Sequence, residues 1–295
     1  MKRLVVVLAV IGLLTIGVWG EETLDVYFLD VGNGDAILID YENWECLIDA
    51  GKGTNSSDTE LDSILESTVT DGTIELAILS HNHWDHYGGF ADLIGDYELT
   101  IAAFWRSEDR NADTEGECWS AFTNAFTSAQ FEVEDLGAGD TPLTPLPDDL
   151  DWMILAPSVL KTQPEDDNDN ANSLVLGLRF DDVSFLFAGD LLEVTHDNIT
   201  NWHVPSDTLV LKAPHHGREN SATLDLAEIL SPALVVVSTA DCVPETARGL
   251  SLLGIPFLWT SSSGTVRVST DGASVWVSSR TLNPRLRWLE SDVDS

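Results

Sequence analysis

The sequence predicts an α/β (α+β) fold in four layers: two β-sheets back to back, with helices on both outer faces (αββα). Three observations lead there. Short strand-type apolar runs recur in both halves of the chain, helix-type periodicities fall between them, and a histidine cluster closes one of the buried-looking runs. A chain that alternates in this way must cover the outer face of each sheet, and two sheets with helical covers are the arrangement that fits.

The runs LDVYFLD (24–30), DAILID (35–40) and WECLID (44–49), separated by GNGD and YEN, read as a strand meander. Leu61, Ile64, Leu65 and Val69 recur at helical spacing and predict a helix over 58–69. IELAILS (74–80) reads as a buried strand, GGFADLIG (88–95) as helix, LTIAAFW (99–105) as strand and 118–129 as helix. Residues 137–150 and 164–172 are rich in Gly, Pro, Asp and Asn and read as loops, with the strand DWMILA between them. SLVLGLRF and DVSFLFAGD predict a hairpin turning at Asp181 and Asp182. The C-terminal third reads as DTLVLKA strand, helix 222–230, ALVVVST strand, helix 245–253, PFLWT strand, and a last hairpin turning at Asp271-Gly272.

Met1, Lys2 and Arg3 precede an apolar or neutral run from Leu4 to Trp19, shorter than the roughly 20 residues of a comfortable span, with Val18 and Gly20 as small residues before Glu21. Residues 1–20 are therefore expected to be a signal peptide or an N-terminal anchor. That places the protein outside the cytoplasm, extracellular or at the cell surface, with membrane contact only through this segment. Residues 21–289 are expected to form one domain and 290–295 an acidic tail. Cys46, Cys118 and Cys242 are far apart and form no C-x-x-C pair, so neither a zinc finger nor a disulfide scaffold is indicated.

Fifty acidic against 14 basic residues give a formal net charge of -36. Affinity for nucleic acid comes from Lys and Arg displacing counterions, so a protein that coats DNA is disfavoured. Because the acid is spread along the chain, it reads as adaptation to a salty medium, where a Debye length of about 3 Å at 1 M screens self-repulsion.

The segment Ser80-His81-Asn82-His83-Trp84-Asp85-His86-Tyr87-Gly88-Gly89 carries the chemistry. In extended chain, residues i and i+2 point the same way, so His81 and His83 can converge on one cation. Asp85 and His86 fall where the chain turns toward a helix and can address a second, while Gly88 and Gly89 permit close backbone packing. Burying four such side chains has no structural return that offsets its cost, so a metal site is the reading.

HNHWDH (81–86) has the H-x-H-x-D-H signature of the metallo-β-lactamase superfamily. LDVGNGDA (29–36) resembles an element of the branch found in ComEC-type DNA-uptake proteins and phosphorylcholine esterases. CLIDAG (46–51), NSLVLGLRF with FLFAGD (172–190) and LKAPHHG (211–217) extend the resemblance in order over most of 24–279. It implies the αββα sandwich of that family, with two divalent metals, Zn²⁺ or alternatively Mn²⁺, at one edge of the sheets. It further implies His81 and His83 on the first metal, Asp85 and His86 on the second, and Asp190 bridging both. His215 or His216 would complete the second site, the two being adjacent and not separable by sequence; Asp85, Asp190 and His216 are the expected catalytic residues. Asp49 is implied as an acid orienting the metal loop.

Many members of the family supply a third histidine to the first metal from mid-chain, yet none lies between His86 and His196. Asn172 or water is expected in its place, and His196 and His203 read as surface histidines. The implied activity is hydrolysis by a hydroxide activated between the two metals. The expected substrate is a phosphodiester, either small or at a nucleic-acid end, because only Lys212, Arg218 and Lys52 lie near the motifs to hold phosphate. A lactam or thioester hydrolase and a non-catalytic, metal-stabilised binding protein are the alternatives. The sequence carries no signal for oligomeric state.

Overall fold

The opening meander forms as its turn residues dictate: β1 (Leu24–Phe28), β2 (Ala36–Tyr41) and β3 (Trp44–Ala50) pair antiparallel, with Tyr41 opposite Trp44 across the Glu42–Asn43 turn. These details come from a computed structural model that describes residues 22–53, 59–95, 99–108, 117–128, 131–160, 168–192, 199, 202, 208–281 and 286–288. The N-terminal segment 1–20, the tail 290–295, His196 and His203 lie outside the described residues.

From β3 the chain crosses through α1 (Thr59–Thr68) to β4 (Thr73–Leu79), then through α2 (Trp84–Tyr87) and α3 (Phe90–Gly95) to β5 (Thr100–Ser107), and through α4 (Glu117–Ser128) to β6 (Glu132–Leu136). Each crossover returns a parallel strand. The later strands β13 (Val266–Thr270), β14 (Val275–Ser278) and β15 (Leu286–Trp288) add antiparallel beside β1, giving a nine-stranded sheet. Early and late segments of the chain therefore share one sheet.

The second sheet has six strands. β7 (Asp151–Ala156), β8 (Val175–Phe180) and β9 (Val183–Phe187) are antiparallel, the last two turning at Asp181 and Asp182 as expected. β10 (Thr208–Lys212), β11 (Leu234–Val237) and β12 (Phe257–Trp259) follow in parallel through α6 (Thr223–Leu230) and α7 (Pro244–Leu253); α8 (Thr260–Ser263) leads back to β13.

Three apolar clusters follow from strand alternation and prove the layering. Val26, Ile39, Ile48 and Ile78 of the first sheet meet Leu176, Phe185, Val210 and Val236 of the second to form the central core. Leu38, Leu47 and Ala77 face the other way, onto Leu61, Leu65, Phe90 and Phe122 of the helices. Leu186, Leu211 and Val235 likewise pack on Leu226, Ala227 and Leu250. Each such fully buried side chain contributes about 1.5–3 kcal/mol, so the sandwich is held by its interior and its rim is left to carry chemistry.

Two details differ from expectation. Glu132–Leu136 is an edge strand although its sequence, EVEDL, is mostly acidic: β5 templates it by main-chain pairing and only Leu136 is fully buried. Within the expected loop 164–172, Asn168–Ala171 forms a short helix, α5. Among the described residues no helix is long and apolar enough to cross a membrane.

Candidate metal centre

The expected residues gather at one end of the sandwich, where β3, β4, β9 and β10 terminate. Asp49 lies at the end of β3, the His81–His86 loop follows β4, Asp190 follows β9, and His215 and His216 lie in a 3-10 turn, Pro214–Gly217, after β10. Gly88 and Gly89 make the loop fit: a Cβ on either would collide with the carbonyl of Lys52 or of Ala50. Gly34, at φ +141°, lies against the Asp85 carbonyl, and the Asp35 N–H donates to that carbonyl at 3.3 Å. By this contact the GNGD turn carries Asp35 into the cluster.

Each inner imidazole is anchored by one nitrogen and offers the other. His86 Nδ1 lies 2.7 Å from Asp49 Oδ2, His216 Nδ1 lies 3.0 Å from the Ser238 carbonyl, and His81 Nδ1 lies 3.0 Å from Ser80 Oγ. Asp49 is itself fixed by the Ser80 N–H at 2.8 Å and the Ser80 hydroxyl at 2.7 Å. The opposite atoms, Nε2 of His81, His86 and His216, are buried without a hydrogen-bond partner, as is Asp190 Oδ1. They converge: His86 Nε2 is 3.4 Å and His216 Nε2 3.3 Å from the two Asp190 oxygens, His81 Nε2 is 3.9 Å from Oδ2, and His216 Nε2 is 3.6 Å from Asp85 Oδ2.

Buried polar atoms without partners are costly and normally few, so a converging set of them requires a common partner. Two donors on a tetrahedral ion with bonds of about 2.0–2.2 Å stand roughly 3.4 Å apart, which is the spacing found here. His81, His86 and Asp190 form one group able to hold a cation, and Asp85, His86 and His216 form another. The donor set therefore suits divalent metal, and since His86 is common to both groups and has one inward nitrogen, it can serve only one ion of a pair.

Electrostatics agree with a site built for positive charge. Burial would raise the Asp190 pKa, but His216 and His86 hold it well below the usual carboxylate range. Asp85 is likewise lowered, against its burial, by His216 and His86. Burial disfavours charge on His86 and His216, yet Asp190 and Asp49 raise the first well above the ordinary imidazole value, and Asp190, Asp35 and Asp85 raise the second to about 9. His81 is pushed well below by burial and by His86, so it is neutral and ready to donate a lone pair.

The structure separates the adjacent histidines. His216 enters the cluster, whereas His215 stands beside it with Nδ1 buried and without a hydrogen-bond partner, its pKa lowered by burial. Both adopt left-handed backbone, φ 48° and 54°, as does Asp49 at 56°. Such conformations cost about 1–3 kcal/mol each and concentrate where function fixes a side chain.

His83 sits further out, its ring 4.7 Å from that of His81 and its Nε2 3.7 Å from Asp169 Oδ2. Asn172 is buried and its backbone carbonyl accepts the Ser107 hydroxyl at 2.7 Å.

Lys212 corrects an expectation. Instead of facing a phosphate, it is 1% exposed and forms an ion pair with Asp35, donates to the Gly189 carbonyl at 3.0 Å and lies 3.8 Å from Asp190 Oδ1. Burial opposes its charge, but Asp35 and Asp190 raise its pKa; burial raises Asp35 against the pull of Lys212. Arg218 is exposed at the end of the 3-10 turn, and Lys52 Nζ lies 4.5 Å above the half-exposed ring of Trp84. Asp35 is the site residue that sequence reasoning missed. Its signal was its place in LDVGNGDA, but no ligand-type neighbour in sequence marked it.

Comparison with solved structures yields the same architecture at low identity. The metallo-β-lactamase fold protein YhfI from Bacillus subtilis is 10% identical with a TM-score of 0.52, covering 82% of this chain and 98% of its own. CmlA, a diiron β-hydroxylase from Streptomyces venezuelae, is 15% identical with a TM-score of 0.53 over 84% of this chain and 54% of its own. An isothiocyanate hydrolase from Delia radicum gut bacteria is 14% identical with a TM-score of 0.50, covering 82% and 97%. These likenesses speak for the fold and leave the substrate open. No curated protein matches the chain. The sequence profile of the metallo-β-lactamase superfamily matches residues 27–239, and with the sandwich and the His/Asp cluster at its rim this chain belongs to that superfamily as a metal-dependent hydrolase.

Proposed function

We propose that the protein hydrolyses a phosphodiester, either a small one or one at a nucleic-acid end, using Zn²⁺ or Mn²⁺. His81, His83 and Asp190 would hold one ion, and Asp85, His86, His216 and Asp190 the other. The observation that carries this reading is the overlap of the donor groups: Asp190 faces His81, His86 and His216 at once, so it can serve two neighbouring ions. Divalent ions held there would activate a water and offset negative charge developing on the substrate oxygens, which suits in-line displacement at phosphorus.

The chain's own residues do the positioning. Ser173 Oγ accepts the Asp190 N–H at 3.0 Å and Lys212 ties the Gly189 carbonyl, so the carboxylate is aimed before substrate arrives. Asp49 and Ser238 fix the tautomers of His86 and His216 so that Nε2 faces inward. His215, whose Nδ1 has no hydrogen-bond partner beside the cluster, would contact the leaving group or a phosphate. With Lys212 buried, Arg218 and Lys52 are the cations left, among the described residues close to the motifs, to hold phosphate at the rim. A formal charge of -36 repels a long duplex, which favours a short substrate, and the ComEC-like resemblance supports a phosphodiester. Residues 1–20 are read as a signal peptide or an N-terminal anchor, and the acidity as suited to high salt.

The test compares bis-p-nitrophenyl phosphate, duplex DNA and nitrocefin with metal-loaded protein over a salt series. Turnover of the diester, with little cleavage within DNA, supports the proposal. Turnover of nitrocefin alone, or of none of the three, overturns it.

A further inference from the structure

We propose that Asp169, on α5, is a metal ligand that closes the outer half of the centre with His81 and His83, so that this half presents two imidazoles and two carboxylates, Asp169 and Asp190. The inference rests on the His/Asp cluster being a metal centre and adds a donor from outside its tight core.

Spacing is the first argument. In this cluster the imidazole nitrogens that hold the rings in place lie 2.7 to 3.0 Å from their partners, while those facing the interior stand 3.3 to 3.9 Å from carboxylate oxygens. The first range is that of direct hydrogen bonds; the second is too long for one and is a separation that two donors on one ion can span, although it also separates the anchoring Nδ1 of His86 and of His216 from Asp35. His83 Nε2 and Asp169 Oδ2, at 3.7 Å, fall in the second. His81 joins them through its ring, 4.7 Å from that of His83, and its own Nε2 is among the buried atoms without a hydrogen-bond partner.

Placement is the second. The chain following Asp169 is pinned to both walls of the site. Asn170 carbonyl accepts the Ser173 N–H at 3.1 Å, Ser173 Oγ accepts the Asp190 N–H at 3.0 Å, and the Leu174 N–H donates to the Ser80 carbonyl at 2.8 Å. Ser80 immediately precedes His81, so α5 is fastened beside the first histidine and above the central aspartate.

Exposure is the third. The His83 and Asp169 side chains are 24% and 15% exposed, an open rim beside the closed inner half. A carboxylate here makes the outer donor set harder than an all-imidazole one, which moves its preference from zinc toward manganese or iron.

The experiment measures bound metal, without turnover, by elemental analysis and titration of wild-type, Asp169→Ala, Asp169→Glu and Asp169→His proteins with Mn²⁺ or Zn²⁺. Expected are about two equivalents for wild type and about one for Asp169→Ala, with two kept by Asp169→Glu. Asp169→His should also keep two, with Zn²⁺ gaining on Mn²⁺. In a His83→Ala background Asp169→Ala should cost no further equivalent, since both serve the same ion. Circular dichroism separates loss of the ligand from loss of the fold; should Asp169→Ala unfold, Asp169→His against Asp169→Glu decides by metal preference alone. Asp169→Ala binding two equivalents at wild-type affinity, or unchanged preference in Asp169→His, overturns the assignment. Two equivalents falling to one in a protein that cleaves no phosphodiester would instead sink the substrate proposal and leave Asp169 standing.

Discussion

Strands β3 and β4 run side by side with acid at both ends of the pair, and the two ends treat it in opposite ways. At their C-terminal ends Asp49 meets His86 and Ser80, and nearby Asp190 is surrounded by imidazoles that outweigh burial and keep it ionised. At their N-terminal ends Glu45 and Glu75 meet each other, and Glu45 lines a cleft of about 330 Å³ together with Tyr27, Asp40, Glu42 and Asp71. There burial, the hydrogen bond with Glu75 and the charges of Glu75, Asp40 and Asp71 lift the Glu45 pKa to about 8. Burial and Asp25 raise Asp40 as well, and the Arg267 guanidinium is held by Asp25 at 2.9 and 2.6 Å. Acid density alone therefore says little about function in this chain; what marks a site is the cationic or metal-seeking partner that the fold brings to it.

The largest effect that would test this contrast is at the site end. Asp190→Asn keeps the shape but removes the charge that three imidazoles face. Losing about 4 kcal/mol of transition-state stabilisation corresponds to about 10³-fold in kcat, with the circular dichroism spectrum unchanged. A variant within a few-fold of wild type would mean that Asp190 is merely another buried acid.

A smaller effect is expected one layer out. Asp49→Asn leaves His86 in place but weakens the bond that aims its Nε2, and outer partners of this kind are worth about 10–100-fold in metal affinity. Competition with a chelator reads this directly. Unchanged affinity would show that Asp49 serves packing and that the two ends differ less than the contrast holds.

Most of the fold was legible because strand alternation and helix periodicity act locally and leave their mark in the residues themselves. EVEDL was not, since main-chain pairing to β5 makes it a strand while its side chains remain largely in solvent. The same division runs through the site. The run from His81 to His86 announces itself by the crowding of ligand types, whereas the choice of His216 over His215 depends on which ring the Ser238 carbonyl can hold. Asp35 needed the contact of Gly34 with the Asp85 loop to become visible, and Lys212 looked like a phosphate contact until burial paired it with Asp35. Asp169 sat in an apparently plain acidic loop; its neighbour His83 is remote in sequence.

The smallest effect lies at the opposite end of the strands and follows from proton linkage. Glu45 has a folded-state pKa of about 8 against an ordinary value of 4.5, so between those limits the folded protein binds more protons than the unfolded chain. Stability from this group is therefore fully present below about pH 4.5 and is lost as pH rises through 8. Glu45→Gln mimics the protonated acid, keeps a donor toward Glu75 and cannot ionise. Its melting temperature should match wild type near pH 5 and exceed it at pH 8.5, each kcal/mol appearing as about 2–4 °C in a domain of this size. The gap should narrow in high salt, because Asp40 and Asp71 act on Glu45 partly through solvent. Parallel melting curves across pH would show that Glu45 and Glu75 are no more strained than acids elsewhere on the surface, and the contrast between the two ends would then rest on the metal centre alone.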